Sequence, residues 1–255
     1  MLAVRGLGKD YVVGRGERRT AVQEVSFDVG RGEFVCVVGP SGAGKTTILR
    51  CLTGLTPPSR GEALLDGVPI ARVSDHVGVV FQDYSRSLFP WMSVASNISL
   101  PLRVRRIPRE EQRRVVAAVL EQVGLGAEVG ERYPWQLSGG MQQRVAIARA
   151  LAFQPELLFM DEPYASVDAQ TRAELEDVIQ EIHGRLGVTV FFVTHDIDEA
   201  VYLADRVIVL SRPPAVVREI VEIPLARPRT QLETKSSAEF GELRRRVFEL
   251  VAGAR

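Results

Sequence analysis

Residues Gly39-Pro40-Ser41-Gly42-Ala43-Gly44-Lys45-Thr46 fit G-x-x-x-x-G-K-[ST], a loop whose backbone N–H groups cradle phosphate. The chemistry needs these residue types. Glycines let the backbone turn its N–H groups inward and approach an anion without a Cβ in the way. A helix N-terminus adds roughly half a positive charge. Lys45 is placed for the β- and γ-phosphates and the Thr46 hydroxyl for Mg²⁺, with Thr47 next in the helix. A second anion cradle is written in Leu137-Ser138-Gly139-Gly140-Met141-Gln142-Gln143-Arg144, where a hydroxyl and two glycines open a helix through Val145, Ile147, Ala148 and Leu151. One phosphate loop does not need two cradles on the same phosphate. The economical explanation is that the second serves a nucleotide held by another copy of the chain.

The elements around these residues suit the task. Phe34-Val35-Cys36-Val37-Val38 is a continuous apolar run, predicting a strand buried on both faces. Ile48, Leu49, Leu52 and Leu55 recur at helical spacing after the loop, which gives strand, loop, helix. Upstream, Tyr11-Val12-Val13 and the alternation of Val25, Phe27 and Val29 with Ser26 and Asp28 predict half-buried antiparallel strands. Gly14-Arg15-Gly16-Glu17-Arg18-Arg19 reads as a solvated hairpin loop between them. Asp66-Gly67 between apolar residues predicts a tight hairpin, and Val77 to Phe81 a short strand ending at Gln82.

Residues 83–134 differ in character. Phe89-Pro90-Trp91 and Pro101 punctuate them, and Val115, Val116, Val119, Leu120 and Val123 mark an amphipathic helix ended by Gly124. Arg103, Arg105, Arg106, Arg109, Arg113 and Arg114 read as a solvated helix face. The α/β pattern returns with Leu157-Leu158-Phe159-Met160, ending in Asp161-Glu162. A helix with Leu175, Val178, Ile179, Ile182 and Leu186 on one face follows, then a strand from Val188 to Val193. His195 falls just beyond that strand's carboxyl end, where ligands gather in open α/β sheets. Asp205 to Leu210 gives another strand. Past Arg212-Pro213-Pro214 comes an extended stretch, a Pro-rich segment over 224–230, and a terminal amphipathic helix with Phe240, Leu243, Val247, Leu250 and Val251.

The expected fold is α/β: a P-loop NTPase core with a mixed sheet, an N-terminal antiparallel β subdomain and an inserted α-helical subdomain. Residues 1–82 and 155–225 are expected to form the nucleotide-binding core, 83–154 the helical subdomain, and 226–255 a C-terminal extension.

Composition sets bounds. The 255 residues are 45% hydrophobic and 25% charged, ordinary for a globular protein, with a formal net charge of zero. That balance gives no global attraction to nucleic acid or anionic membrane. No run of eighteen apolar residues predicts a membrane span, and the N-terminus lacks the layout of a secretory signal. Cys36 and Cys51 read as small core residues.

Taken in order, the phosphate loop, Ser138-Gly139-Gly140 and Asp161-Glu162 resemble the nucleotide-binding subunit of an ABC transporter over nearly the whole chain. The resemblance implies ATP and Mg²⁺ as cofactors and assigns roles position by position. Tyr11 matches the aromatic that stacks on adenine. Residues Gly39 to Thr47 bind the phosphates, and Thr46, Gln82 and Asp161 serve the metal. Gln82 also transmits nucleotide state to a membrane partner. Glu162 orients and polarises the attacking water, and His195 contacts the γ-phosphate. Ser138, Gly139 and Gly140 contact a nucleotide across a homodimer, and Asp168 lies in a loop crossing that interface. There the family's usual small-Ala-Leu-Asp is Ala165-Ser166-Val167-Asp168, and Met141 stands for the commoner Gln.

Gln82 to Val94 with Asn97, residues 137–151, and Ile223-Pro224-Leu225-Ala226-Arg227-Pro228-Arg229 are similar to importer ATPases for nitrate, sulfonates and taurine. This implies a small anionic solute, integral membrane permease subunits, an extracytoplasmic solute-binding protein, a place on the cytoplasmic membrane face, and no nucleic acid partner. A soluble ABC ATPase, such as one assisting cluster assembly, is the alternative. The surface near Phe89-Pro90-Trp91 discriminates the two, since a transporter must receive a membrane subunit's helix there.

Overall fold

A computed structural model describes residues 1–14, 16–83, 87–165 and 167–253. Arg15 of the expected hairpin loop, Tyr84, Ser85 and Arg86 of the importer-like segment, and Ser166 before Asp168 lie outside the described residues. In chain order the elements are β1 (Leu2–Val13), β2 (Glu17–Val29), β3 (Phe34–Val38), α1 (Lys45–Leu52), β4 (Arg60–Leu65), β5 (Val68–Pro69) and β6 (Val77–Val80). Next come α2 (Val94–Val104), α3 (Arg109–Gln122), α4 (Gly139–Leu151), β7 (Leu157–Asp161), α5 (Ala169–Leu186) and β8 (Thr189–Val193). The chain closes with α6 (Ile197–Leu203), β9 (Arg206–Leu210), β10 (Ala215–Glu222), α7 (Gln231–Ser236) and α8 (Ala238–Ala252). Two compact units result: Met1–Ser74 with Thr189–Arg255, and Asp75–Val188.

In the first unit the strands run β5-β4-β1-β2-β10-β9-β3-β8. β1 pairs antiparallel with β2 and β4, the expected antiparallel subdomain, and β3 lies parallel to both β8 and β9. All five residues of β3 and of β8 are buried, as apolar runs covered on two faces must be. On β2, Val25, Phe27 and Val29 point inward and Ser26 and Asp28 outward, and Phe27 stacks on Phe191 at 5.8 Å between centroids. Leu65 pairs with Val68 across Asp66 and Gly67, whose φ values of 50° and 79° make the two-residue turn expected there. Two sequence expectations are corrected. Glu17, Arg18 and Arg19 are not loop but strand, paired with Val13, Val12 and Tyr11; exposed on both faces, they show no alternation to read. α1 stops at Leu52, and Leu55 is exposed beyond Gly54, whose φ of 75° ends the turn.

Among its described residues the second unit holds the β6–β7 parallel pair and the α-helices α2 to α5. Ser93 caps α2, its hydroxyl accepting from the Ser96 N–H at 3.2 Å. α3 buries Val116, Val119 and Leu120 and gives way at Gly124, with φ 70°. α5 buries Leu175, Ile179 and Ile182 but leaves Leu186 exposed at its last turn, against expectation. Both cysteines are buried and free, and burial pushes each thiol upward, as core residues require.

Candidate nucleotide site

The first unit carries the phosphate loop. β3 delivers the chain to Gly39, and α1 begins at Lys45 with Gly44 as its N-cap. No side chain caps α1 and no acidic residue lies in its first turn, so its leading N–H groups meet no carboxylate of the helix itself. Gly44 has φ 83°, and a Cβ there would come within 3.0 Å of the Ala21 carbonyl oxygen. Glycine is therefore required twice over, by conformation and by space. Lys45 is 6% exposed, and its ammonium donates to the carbonyls of Gly39 at 3.0 Å and Pro40 at 3.4 Å. It is thus folded back inside its own loop, curled around the anion seat. Thr46 and Thr47 are half-buried, and Ser41 and Gly42 exposed.

Tyr11 lies near the tip of the β1–β2 hairpin, 37% exposed, with the Lys9 ammonium 5.4 Å from its ring centroid. His195 is exposed just past β8. Its neighbours are tied: the Thr194 hydroxyl donates to Glu199 Oε2 at 2.6 Å and accepts from the Asp196 N–H at 2.9 Å.

The second unit carries the carboxylates. Parallel pairing sets Val80 opposite Met160. Two residues beyond each partner stand Gln82 and Glu162, and the Gln82 amide donates to Glu162 Oε2 at 3.3 Å. Asp161, the last residue of β7, is buried. Glu162 has φ 43°, a left-handed conformation uncommon for a non-glycine residue and of the kind found at functional sites.

α4 starts at the second cradle. Ser138 is its N-cap, accepting from the Met141 N–H at 3.3 Å, and no acidic residue occupies the first turn. A Cβ on Gly140 would meet Thr171 Cγ2 at 2.4 Å. Thr171 in turn donates from its hydroxyl to Asp168 Oδ2 at 2.7 Å, and Asp168 caps α5 through the N–H groups of Gln170 and Thr171. The start of α4 and the Asp168 cap thus meet at Thr171, a residue the sequence reading missed although Asp168-x-x-Thr171 has cap spacing. The hydrogen bonds from Thr171 hold the Asp168 carboxyl below the usual range.

Near the aromatic segment, Trp91 is 72% exposed with its ring centroid 5.4 Å from that of Phe89. The buried Asn97 amide fixes this loop, accepting from the Phe89 N–H at 2.8 Å and donating to the carbonyls of Phe89 and Met92 at 3.1 Å. The sequence marks Asn97 only by resemblance; its work in the structure is to hold Trp91 outward. Among the described residues no group of three or more His, Cys, Asp and Glu could hold a metal. The Thr46 hydroxyl and the Asp161 carboxylate are hard oxygen donors of the type Mg²⁺ takes along with substrate phosphate.

A buried parallel strand running into a glycine loop and a helix defines a P-loop nucleotide-binding unit. The family model described as ABC transporter matches residues 22–165. The chain belongs to the ABC transporter family. It is 46% identical over 237 residues to the uncharacterized ABC transporter ATP-binding protein MJ0412 of Methanocaldococcus jannaschii, covering 92% of this chain and 86% of that one. It is 42% identical to the nitrate import ATP-binding protein NrtD of Synechococcus elongatus, covering 96% and 89%. Identity to the taurine import ATP-binding protein TauB of Chromobacterium violaceum is 40%, covering 91% and 90%. Among solved structures, a dimeric post-hydrolysis state of the cassette MJ0796 bound to ADP and Pi superposes with TM-score 0.77 at 32% identity, over 89% of this chain and all of that one.

Proposed function

We propose that this chain is the ATP-hydrolysing subunit of an ABC importer, dimerising around two ATP on the cytoplasmic face of a membrane. In this reading Tyr11 stacks on adenine, Gly39 to Thr47 cradle the phosphates, and Lys45 neutralises developing charge. Thr46, Gln82 and Asp161 hold Mg²⁺, which when bound neutralises charge on the β- and γ-phosphates. Glu162 orients the attacking water and accepts its proton, and His195 contacts the γ-phosphate. Ser138, Gly139 and Gly140 reach the nucleotide of the partner copy, and Asp168 faces the dimer interface. Residues 1–82 and 155–225 serve as ATP-binding core, 83–154 as the helical subdomain, and 226–255 as an extension.

The observation that carries the dimer is the capped start of α4, a second anion cradle free of acidic residues in a chain that already has one. The dimeric cassette among the structural relatives supports it. The permease partner is supported by the outward aromatic pair at Phe89 and Trp91 and by relatives named as import ATP-binding proteins. No helix of the described residues is long and apolar enough to cross a membrane, so translocation falls to other subunits, with an extracytoplasmic solute-binding protein delivering a small anion of the nitrate, sulfonate or taurine type. Glu162→Gln tests the core of this: ATP binding should persist, turnover should fall by about a thousandfold or more, and an ATP-bound dimer should accumulate. Retained turnover would remove Glu162 from its role.

A further inference from the structure

The extension after β10 grips α6, the short helix that follows His195, at both ends. At its C-terminal end stands Arg229, 7% exposed, which donates to the carbonyls of Tyr202 at 2.8 Å, Ala204 at 2.9 Å and Leu225 at 3.1 Å. The Tyr202 hydroxyl donates back to the Arg229 carbonyl at 3.2 Å. The Tyr202 and Ala204 carbonyls lie at the end of α6, where a helix leaves its carbonyls unpaired and a cation is favoured. Burial lowers Arg229 to about 10, which still keeps it charged at neutral pH. Arg227 adds a bond to the Leu203 carbonyl at 2.8 Å.

At the N-terminal end Arg244, on α8, pairs through Nε with Asp198 in the first turn of α6. The Asp198 N–H donates to Asp196 Oδ1 at 2.8 Å, and the Asp196 N–H to the Thr194 hydroxyl. The bonded path from α8 therefore runs through Asp198 and Asp196 to the residues on either side of His195. α8 is itself anchored, with Phe240 and Val247 buried and Arg246 bound to Glu219 of β10 at 2.5 Å. A cavity of about 850 Å³ beside it is lined by His195, Asp198, Gly241, Arg244, Arg245 and Phe248.

We propose that the C-terminal helix is part of the mount of His195, with Arg244 as a positioning residue that fixes the first turn of α6 and, through it, the histidine. The inference rests on the reading of His195 as a γ-phosphate contact. Arg244 and Asp198 have side chains 59% and 43% exposed, and exposed pairs contribute little to global stability. Arg244→Ala should therefore fold with an unchanged thermal midpoint.

The test is steady-state ATP hydrolysis by the full chain, comparing wild type, Arg244→Ala, Arg244→Lys and His195→Ala. Arg244→Ala should lower kcat about two- to fivefold, the range an exposed pair can shift, with KM for ATP unchanged, and Arg244→Lys should recover most of the loss. Full activity in Arg244→Ala beside an inactive His195→Ala overturns the positioning role while sparing the histidine's. Full activity in His195→Ala overturns both. A fall in kcat matched by a lower thermal midpoint and not recovered by Lys marks a structural role and also overturns it.

Discussion

Gln82 and Glu162 are eighty residues apart in sequence and 3.3 Å apart in space, joined amide to carboxylate. The contact follows from the β6–β7 register, which carries both residues two places past the paired Val80 and Met160. A net hydrogen bond is worth about 0.5–1.5 kcal/mol. If this one holds Glu162 ready for water, Gln82→Ala should lower kcat by about threefold to tenfold. Gln82→Glu should be worse, because it sets two carboxylates side by side. Single-turnover hydrolysis checks this, and unchanged rates in both variants would show that the pair does not matter to chemistry.

Trp91 stands outward on a loop pinned by Asn97. Trp91→Ala should leave hydrolysis by the isolated subunit within about twofold, since surface truncations away from a site change little. It should abolish the stimulation given by reconstituted membrane subunits. Loss of nucleotide binding in this variant would show that the loop belongs to the ATP site instead.

Asp168 caps α5 with a carboxyl held low by Thr171. A depressed folded-state pKa stabilises the fold above the unfolded value, near 3.8, and that stabilisation is lost as pH falls through the folded value. The thermal midpoint of the wild type should exceed that of Asp168→Asn by a constant margin from pH 5 to 8. The margin should close below about pH 4. A margin independent of pH would mean that the charge adds nothing to the cap.

Gln143, fully buried in α4, has neither amide atom hydrogen-bonded among the described residues. An unsatisfied buried polar group costs about 1–3 kcal/mol. Gln143→Met, similar in volume, should raise stability by about 1 kcal/mol in chemical denaturation. A loss of that size would show that the amide is satisfied.

Much of this was legible in the sequence where one physical demand dominates. The phosphate loop needs glycines at fixed places between a buried strand and a helix, and Asp66-Gly67 dictates its own turn. What stayed hidden depends on partners far along the chain. Nothing local pairs Gln82 with Glu162, because parallel register is a tertiary property. Arg229 reads as one more charge in a Pro-rich tail, yet it is buried on helix carbonyls. Glu17 to Arg19 looked like loop because a strand exposed on both faces has no period of two. Leu55 and Leu186 continued a helical stripe that the structure had already ended or left in solvent.

The central claim is that two copies of the chain complete each ATP site. The direct measurement is specific ATPase activity across protein concentration at saturating MgATP. Activity per chain should rise with concentration and reach a plateau as the dimer fills, and Ser138→Ala should lower the plateau. Constant specific activity down to concentrations where sedimentation shows only monomer would contradict the account.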